Sequence, residues 1–214
     1  MITPEILVDA TPVEAKNQGN RPTCLAFAIT DLNRRFADEE LGPEFFYRAT
    51  IAHIPNWQPG DGLQIPAALK ASALGHPVER LFPYLDHEPG VPLEALPTHL
   101  EHFGCPVQFF EPDVDWLISN IRAQNAVGLA LRLTLEFFQP QDGIVSFSES
   151  VLPGTMVHAV VAVGLGYDGD DEPWFLIRNS WGDAWGQHGH AWVSSTYIAA
   201  HAACAFGVVH GSTD

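Results

Sequence analysis

Three residues of this chain have the types and the spacing for acyl transfer through a thiol: Cys24, His158 and Asn179. Cys24 lies at the predicted start of a helix, where unpaired N–H groups and the macrodipole favour negative charge. A thiolate held there is a nucleophile. The alternative is the ordinary role of a free cysteine, a small buried hydrophobe. His158 sits in the apolar run VHAVVAV and shares a face with Val160 and Ala162. Facing Cys24, it would take the thiol proton and form a thiolate–imidazolium pair. Otherwise it is a satisfied core histidine. Asn179 follows the apolar stretch WFLI and opens NSWG. A strand-end amide would accept the second ring N–H of His158 and so select one tautomer, or it would serve a turn.

These residues need elements to carry them. Leu25, Ala28, Ile29, Leu32 and Phe36 recur at near-helical spacing, which predicts a helix over 24–37 with Thr23 as N-cap after Pro22. Further helices are predicted over 43–54, 65–74 (stopped by Gly75), 93–103 and 113–124. The pattern then changes. Leu129, Leu131, Leu133 and Leu135 alternate, as in a half-buried strand, and the runs 157–166, 174–179 and 189–194 read as strands too. Helices first and strands after make an α+β protein. The expected division is a helical lobe over roughly 20–105 and a β-rich lobe over roughly 1–19 and 106–214, within one domain.

Composition narrows the function classes. With 46% apolar residues, 13 Phe and 6 Trp, the chain can bury a core. Lys and Arg total 10 against 26 Asp and Glu, a net charge of −16. That surface argues against nucleic-acid backbones and anionic lipid headgroups as partners. The opening MITPEILVDATP lacks a basic segment followed by an apolar one, and no apolar run approaches the ~20 residues of a membrane span. A reducing, cytoplasmic location is the expectation.

The residues together carry a resemblance. NQGNRPTCLAFA (17–28) resembles the active-site segment of papain-like cysteine peptidases of the C1 family. VHAVVAVGLGY (157–167) resembles their histidine strand, and FLIRNSWGDAWGQHGHAWV (175–193) their asparagine segment. His158 follows Cys24 by 134 residues and Asn179 follows it by 155, near the ~130–150 of that family. LGPEFFY (41–47) and the stretch 60–85 are weaker matches. The resemblance implies two lobes, one helical and one an antiparallel β-barrel-like structure, with the active-site cleft between them.

It also implies roles. Cys24 would be the nucleophile, His158 the general acid and base, and Asn179 the orienter of His158. Gln18, six residues before Cys24, stands at the place of the oxyanion-hole glutamine. Trp181 would shield the His158–Asn179 bond. Gly62 would lie on the cleft edge, and Ala130, Ala159 and Ile65 (or Pro66) would line a roomy apolar side-chain pocket. The partner would be a peptide or protein substrate, and the reaction needs no metal or cofactor. Pairing would lower the Cys24 pKa and raise that of His158 above its usual value.

The departures are specific. Asn20, Arg21, Pro22 and Thr23 stand where the family carries a disulfide-bonded cysteine, and Leu25 replaces the Trp that typically follows the nucleophile. With its mature-like start at 8–18, the expectation is a chain without a propeptide, a prokaryotic intracellular relative restrained by narrow specificity or by an inhibitory or regulatory protein. Two further readings share these residues: a peptide transferase or maturation enzyme, and a catalytically idle peptide-binding module.

Other candidates have plainer readings. Asp168-Gly169-Asp170-Asp171-Glu172 lacks calcium-loop spacing and reads as a hairpin turn. His188 and His190, with no acidic or cysteine partner evident at a suitable spacing, read as surface loop residues. Cys105 and Cys204 read as structural thiols.

Overall fold

The computed structural model describes residues 1–8, 14–91, 93–154 and 157–209. Residues 9–13 of the mature-like start therefore lie outside the described residues. The chain divides into two compact units, Gln18–Gln108 with Val208–Asp214, and Met1–Asn17 with Phe109–Gly207.

The first unit is built on helix α1, Cys24–Asn33, continued by a 3-10 turn at Arg34–Phe36. Leu25, Ala26, Phe27, Ala28, Ile29, Thr30, Leu32 and Asn33 are all buried. A helix apolar on every side belongs inside a core. Helix α2, Pro43–Ile51, starts with proline in its first turn, where the missing N–H costs nothing. Helix α3, Ile65–Ser72, ends just before Gly75, whose φ of +71° supplies the turn that a side chain resists. Polar side chains tie the loops to α1. Asn33 gives its amide to the Ile29 carbonyl and takes the Cys105 N–H.

Two expectations fail in this unit. Thr23 occupies the N-cap position, but its side chain makes no capping bond; its hydroxyl pairs with the Tyr84 hydroxyl at 2.8 Å. A partner distant in sequence outcompetes the local one. No helix forms over 93–103. Pro97 lies inside that stretch and lacks the N–H that a helix interior needs. Phe103 instead exchanges two backbone hydrogen bonds with His76.

The second unit is, but for the ends of two strands, a sheet with helices against it. Its elements are β1 (Thr3–Leu7), β2 (Val107–Phe110), α4 (Val114–Arg122), β3 (Val127–Leu131), α5 (Leu135–Phe138), β4 (Ile144–Val145), β5 (His158–Tyr167), β6 (Pro173–Arg178), β7 (His190–Ser194), α6 (Ser195–His201) and β8 (Ala202–Val208). The strand order is β2-β8-β3-β5-β6-β7-β4, with β1 also on β5. The detailed pairings are antiparallel except β4 with β7. The sheet is open: among the described residues no pairing joins β2 to β4.

Strand β3 was expected to be half buried, yet all five of its residues are buried. It lies between β5 and β8 in the sheet, and α4 packs over it with Leu117 and Ile121. Nine of the ten residues of β5 are buried as well. A continuous apolar run such as HAVVAVGL is what a strand covered on both faces requires. No helix among the described residues is long and apolar enough to cross a membrane.

His76 gives the first unit a pH dependence. It is fully buried, its Nδ1 lies 3.0 Å from Thr30 Oγ1, and burial, with His102 nearby, lowers its pKa from the usual 6.5 to about 3. The unfolded chain therefore binds a proton below pH 6.5 that the folded chain refuses. The stability this contributes is present above 6.5 and drains away as pH falls towards 3. One such proton corresponds to about 1.4 kcal/mol per pH unit. We expect His76→Asn to remove a slope of that size from urea-measured stability between pH 6.5 and 4.5. An unchanged slope would contradict the assignment.

Candidate active site

Each unit carries part of the expected site. In the first, Cys24 is the first residue of α1, partly exposed and not in a disulfide. The helix opens when the Thr23 carbonyl accepts the Phe27 N–H at 3.1 Å. Gln18 is buried, and its side-chain amide donates to the Arg21 carbonyl at 2.8 Å. Gly19, with φ +61°, makes the turn that brings Gln18 back towards Arg21. The Tyr84 hydroxyl donates to the Gln18 carbonyl at 2.8 Å and also meets the Thr23 hydroxyl. Three side chains thus join the expected oxyanion residue to the head of the nucleophile's helix. Gly62 is half-buried in the segment before α3, and Ile65 opens that helix, also half-buried; Pro66 is exposed.

In the second unit, His158 is the first residue of β5 and Asn179 follows the last residue of β6. His158 Nε2 lies 2.7 Å from Asn179 Oδ1. That oxygen also accepts the Ser180 backbone N–H at 2.8 Å. A backbone N–H can only donate, so the Asn179 amide orientation follows. The His158 Nε2 must then be the donor, because it faces an oxygen already committed as acceptor. In the neutral ring the lone pair is consequently on Nδ1, the nitrogen that would take a proton. Asn179 is itself held by its own N–H to the Gly189 carbonyl at 3.0 Å.

An aromatic group covers this bond. The Trp181 ring lies 4.5 Å from the His158 ring, and Phe138 stacks on Trp181 at 5.1 Å. Phe137 meets both His158 and Trp181 edge-on. Phe137 and Phe138, which build much of this wall, were not singled out in the sequence; the run LEFF carries no periodic signal strong enough to do so. Burial has an electrostatic consequence opposite to the sequence expectation. Desolvation pulls His158 from 6.5 down to about 4, and the hydrogen bond to Asn179 opposes it only in part.

Ala130 and Ala159 are direct partners on β3 and β5, and Cys204 on β8 is the next partner in the same row. Directly opposed residues of antiparallel strands share a face. Cys204 thus joins the row of the two expected pocket residues, which sequence spacing alone does not show.

The remaining candidates resolve locally. Asp168 accepts the backbone N–H groups of Asp170 and Glu172 and the Trp174 indole N–H, closing the β5–β6 hairpin. His188 does have an acidic neighbour: its Nδ1 lies 3.0 Å from Asp183 Oδ1, both exposed. The left-handed backbone at His188, φ +53°, folds the loop back so that the two meet. Among the described residues no group of three or more His, Cys, Asp or Glu is placed to hold a metal ion.

The papain family cysteine protease profile matches residues 100–206. A cathepsin L-like proteinase of Fasciola hepatica is 25% identical over 190 residues, covering 83% of this chain and 55% of that protein. A pro-cathepsin H of Medicago truncatula is 53% identical over 77 residues, 36% of this chain and 22% of that one. The chain thus spans about half the length of the first relative and less of the second. Among solved structures, xylellain, a cysteine protease from Xylella fastidiosa, superposes with a TM-score of 0.73 at 18% identity, covering 98% of this chain and 88% of that one. A digestive procathepsin L2 proteinase from Tenebrio molitor gives 0.75 at 20%, covering 92% and 64%. At those identities the structural likeness speaks for the fold. The profile covers half of the chain and includes both His158 and Asn179, so the chain belongs to the papain family of cysteine proteases.

Proposed function

We propose that this chain hydrolyses peptide bonds through a thioester formed on Cys24. The observation that supports this most is the His158–Asn179 pair, because it leaves the Nδ1 lone pair to serve as a base. In the proposed reaction His158 Nδ1 takes the thiol proton, and the thiolate attacks the substrate carbonyl carbon. The carbonyl oxygen becomes an oxyanion, held by the Cys24 backbone N–H and the Gln18 side-chain amide. His158 then gives its proton to the departing amine as the C–N bond breaks. Water, losing a proton to His158, attacks the thioester and releases the acid and the thiol.

The energetics suit this assignment. Cys24 stands at the head of a ten-residue helix, a position that favours a thiolate. His158 is costly to protonate by itself, since burial holds it at about 4. A thiolate opposite it would offset that cost, so the two titrate as one coupled pair. Trp181 and its neighbours keep water from the His158–Asn179 bond. The Cys204 thiol has the opposite character: burial, and then Glu111, push its pKa up.

Further steps of the proposal concern substrate and partners. The small side chains of Ala130 and Ala159 suit a bulky apolar substrate residue, as does Ile65. The acidic surface favours basic protein substrates or partners over nucleic acids and anionic membranes. A protein inhibitor or regulator is the proposed restraint on activity, and the cytoplasm the proposed location.

Labelling tests the nucleophile. A peptidyl epoxide should modify Cys24 well before Cys105 or Cys204, with the site read by mass spectrometry; equal labelling of all three in the folded chain would refute an activated Cys24. Kinetics test the oxyanion donor. Gln18→Ala should lower kcat by about 10²–10³ with little change in KM, and Asn179→Ala should have a milder effect. An unchanged kcat/KM in Gln18→Ala would remove Gln18 from the mechanism.

A further inference from the structure

Arg21 is buried, at 4% exposure, three residues before Cys24. Its Nη1 donates to Glu44 Oε2 and to the Leu85 carbonyl, both at 2.6 Å, and Nη2 approaches Glu44 Oε1. Its guanidinium lies 4.7 Å from the ring centroids of both Tyr47 and Tyr84. Glu44 is fully buried and is held a second time by Arg48 Nε at 2.8 Å. Glu88 closes the other side, accepting the Tyr47 hydroxyl at 2.7 Å and lying 3.6 Å from Arg21 Nε.

Such a cluster is a poor device for stability alone. Burying charge is expensive, and apolar replacements of buried ion pairs are often as stable. What the cluster does supply is position. A planar guanidinium held by a carboxylate, a carbonyl and two ring faces has one orientation, which an ammonium would not share. The Arg21 backbone is fixed with its side chain, and the Arg21 carbonyl accepts both Gln18 Nε2 and the Thr23 N–H, each at 2.8 Å. Tyr84, one of the two rings against the guanidinium, sends its hydroxyl to the Gln18 carbonyl and the Thr23 hydroxyl. Both routes out of the cluster therefore end on Gln18, the proposed oxyanion donor, and on Thr23, the residue before Cys24. A Gln amide has two N–H groups. With one aimed at the Arg21 carbonyl, the direction of the other is set.

We propose that Arg21, clamped by Glu44 and Tyr84, is a positioning residue that aims the Gln18 amide at the oxyanion and registers it with the head of α1. This rests on the reading of Gln18 as the oxyanion donor. Arg21 touches no reacting atom in this account, and its effect passes through Gln18.

A double-mutant cycle tests it, using a peptidyl aminomethylcoumarin amide whose turnover Cys24→Ala abolishes. Arg21→Lys keeps the charge and loses the planar fork. It should lower kcat by about 10²-fold, the usual scale for a small misplacement at a reacting centre, with KM little changed. In a Gln18→Ala background the same substitution should cost far less, because the donor it aims is gone. Tyr84→Phe removes only a hydroxyl and should show the same coupling at smaller size. Should Arg21→Lys fail to fold, the Tyr84→Phe cycle decides the matter. Equal fold-changes in both backgrounds, or an unchanged kcat, would overturn the proposal while leaving Gln18 in place. If Gln18→Ala by itself leaves kcat unchanged, the oxyanion reading falls first and this inference with it.

Discussion

The hydrogen bond from His158 Nε2 to Asn179 Oδ1 is the interaction on which this account turns. It decides which ring nitrogen carries the proton, and so which one can act as a base. The bond is strong in consequence because so much is arranged around it. Ser180 N–H fixes the amide, Gly189 holds the Asn179 backbone, and Trp181 lies over the imidazole. Strand β5 supplies His158 from the longest buried run of the sheet, and β6 ends just before Asn179. The same burial lowers the imidazole to about 4, leaving a base that is neutral unless a negative charge faces it.

The helical unit solves a different problem. The atoms proposed to act there are a side-chain amide and a thiol on a loop and a helix head, where local hydrogen bonding alone gives little rigidity. Thr23 illustrates this, since its hydroxyl abandons the cap for Tyr84. Buried charge supplies the rigidity instead. None of the three cysteines, Cys24, Cys105 and Cys204, is in a disulfide, so no covalent cross-link shares that task. Each unit thus braces its own candidate residues with interactions internal to itself.

What was legible in the sequence follows from the range of the interactions involved. Helix α1 and strands β5, β6 and β7 are written in local periodicity and were read close to their observed bounds. The motif around Cys24, His158 and Asn179 could be singled out because the proposed chemistry demands those residue types at those places. Interactions over long separations were not. Glu44 lies 23 residues from Arg21, and Tyr84 lies 66 from Gln18. The helix expected over 93–103 gave too little weight to Pro97, and the half-buried reading of β3 took an alternation of leucines for exposure of the residues between them. The lowering of His158 by burial was not legible, because a sequence displays a possible charge partner but not the cost of burial. His188 and Asp183 meet only because the backbone between them folds back, which charge spacing does not reveal.

The most direct measurement is an NMR titration of the His158 imidazole in the intact chain and in Cys24→Ala. The account predicts the Nε2–H tautomer in the neutral ring of the variant, with a pKa near the value of about 4 that burial sets. In the intact chain the thiolate should raise that pKa well above the variant's. Identical titration of the two proteins, or a neutral ring protonated on Nδ1, would contradict the pairing of His158 with Cys24 and the reaction built on it.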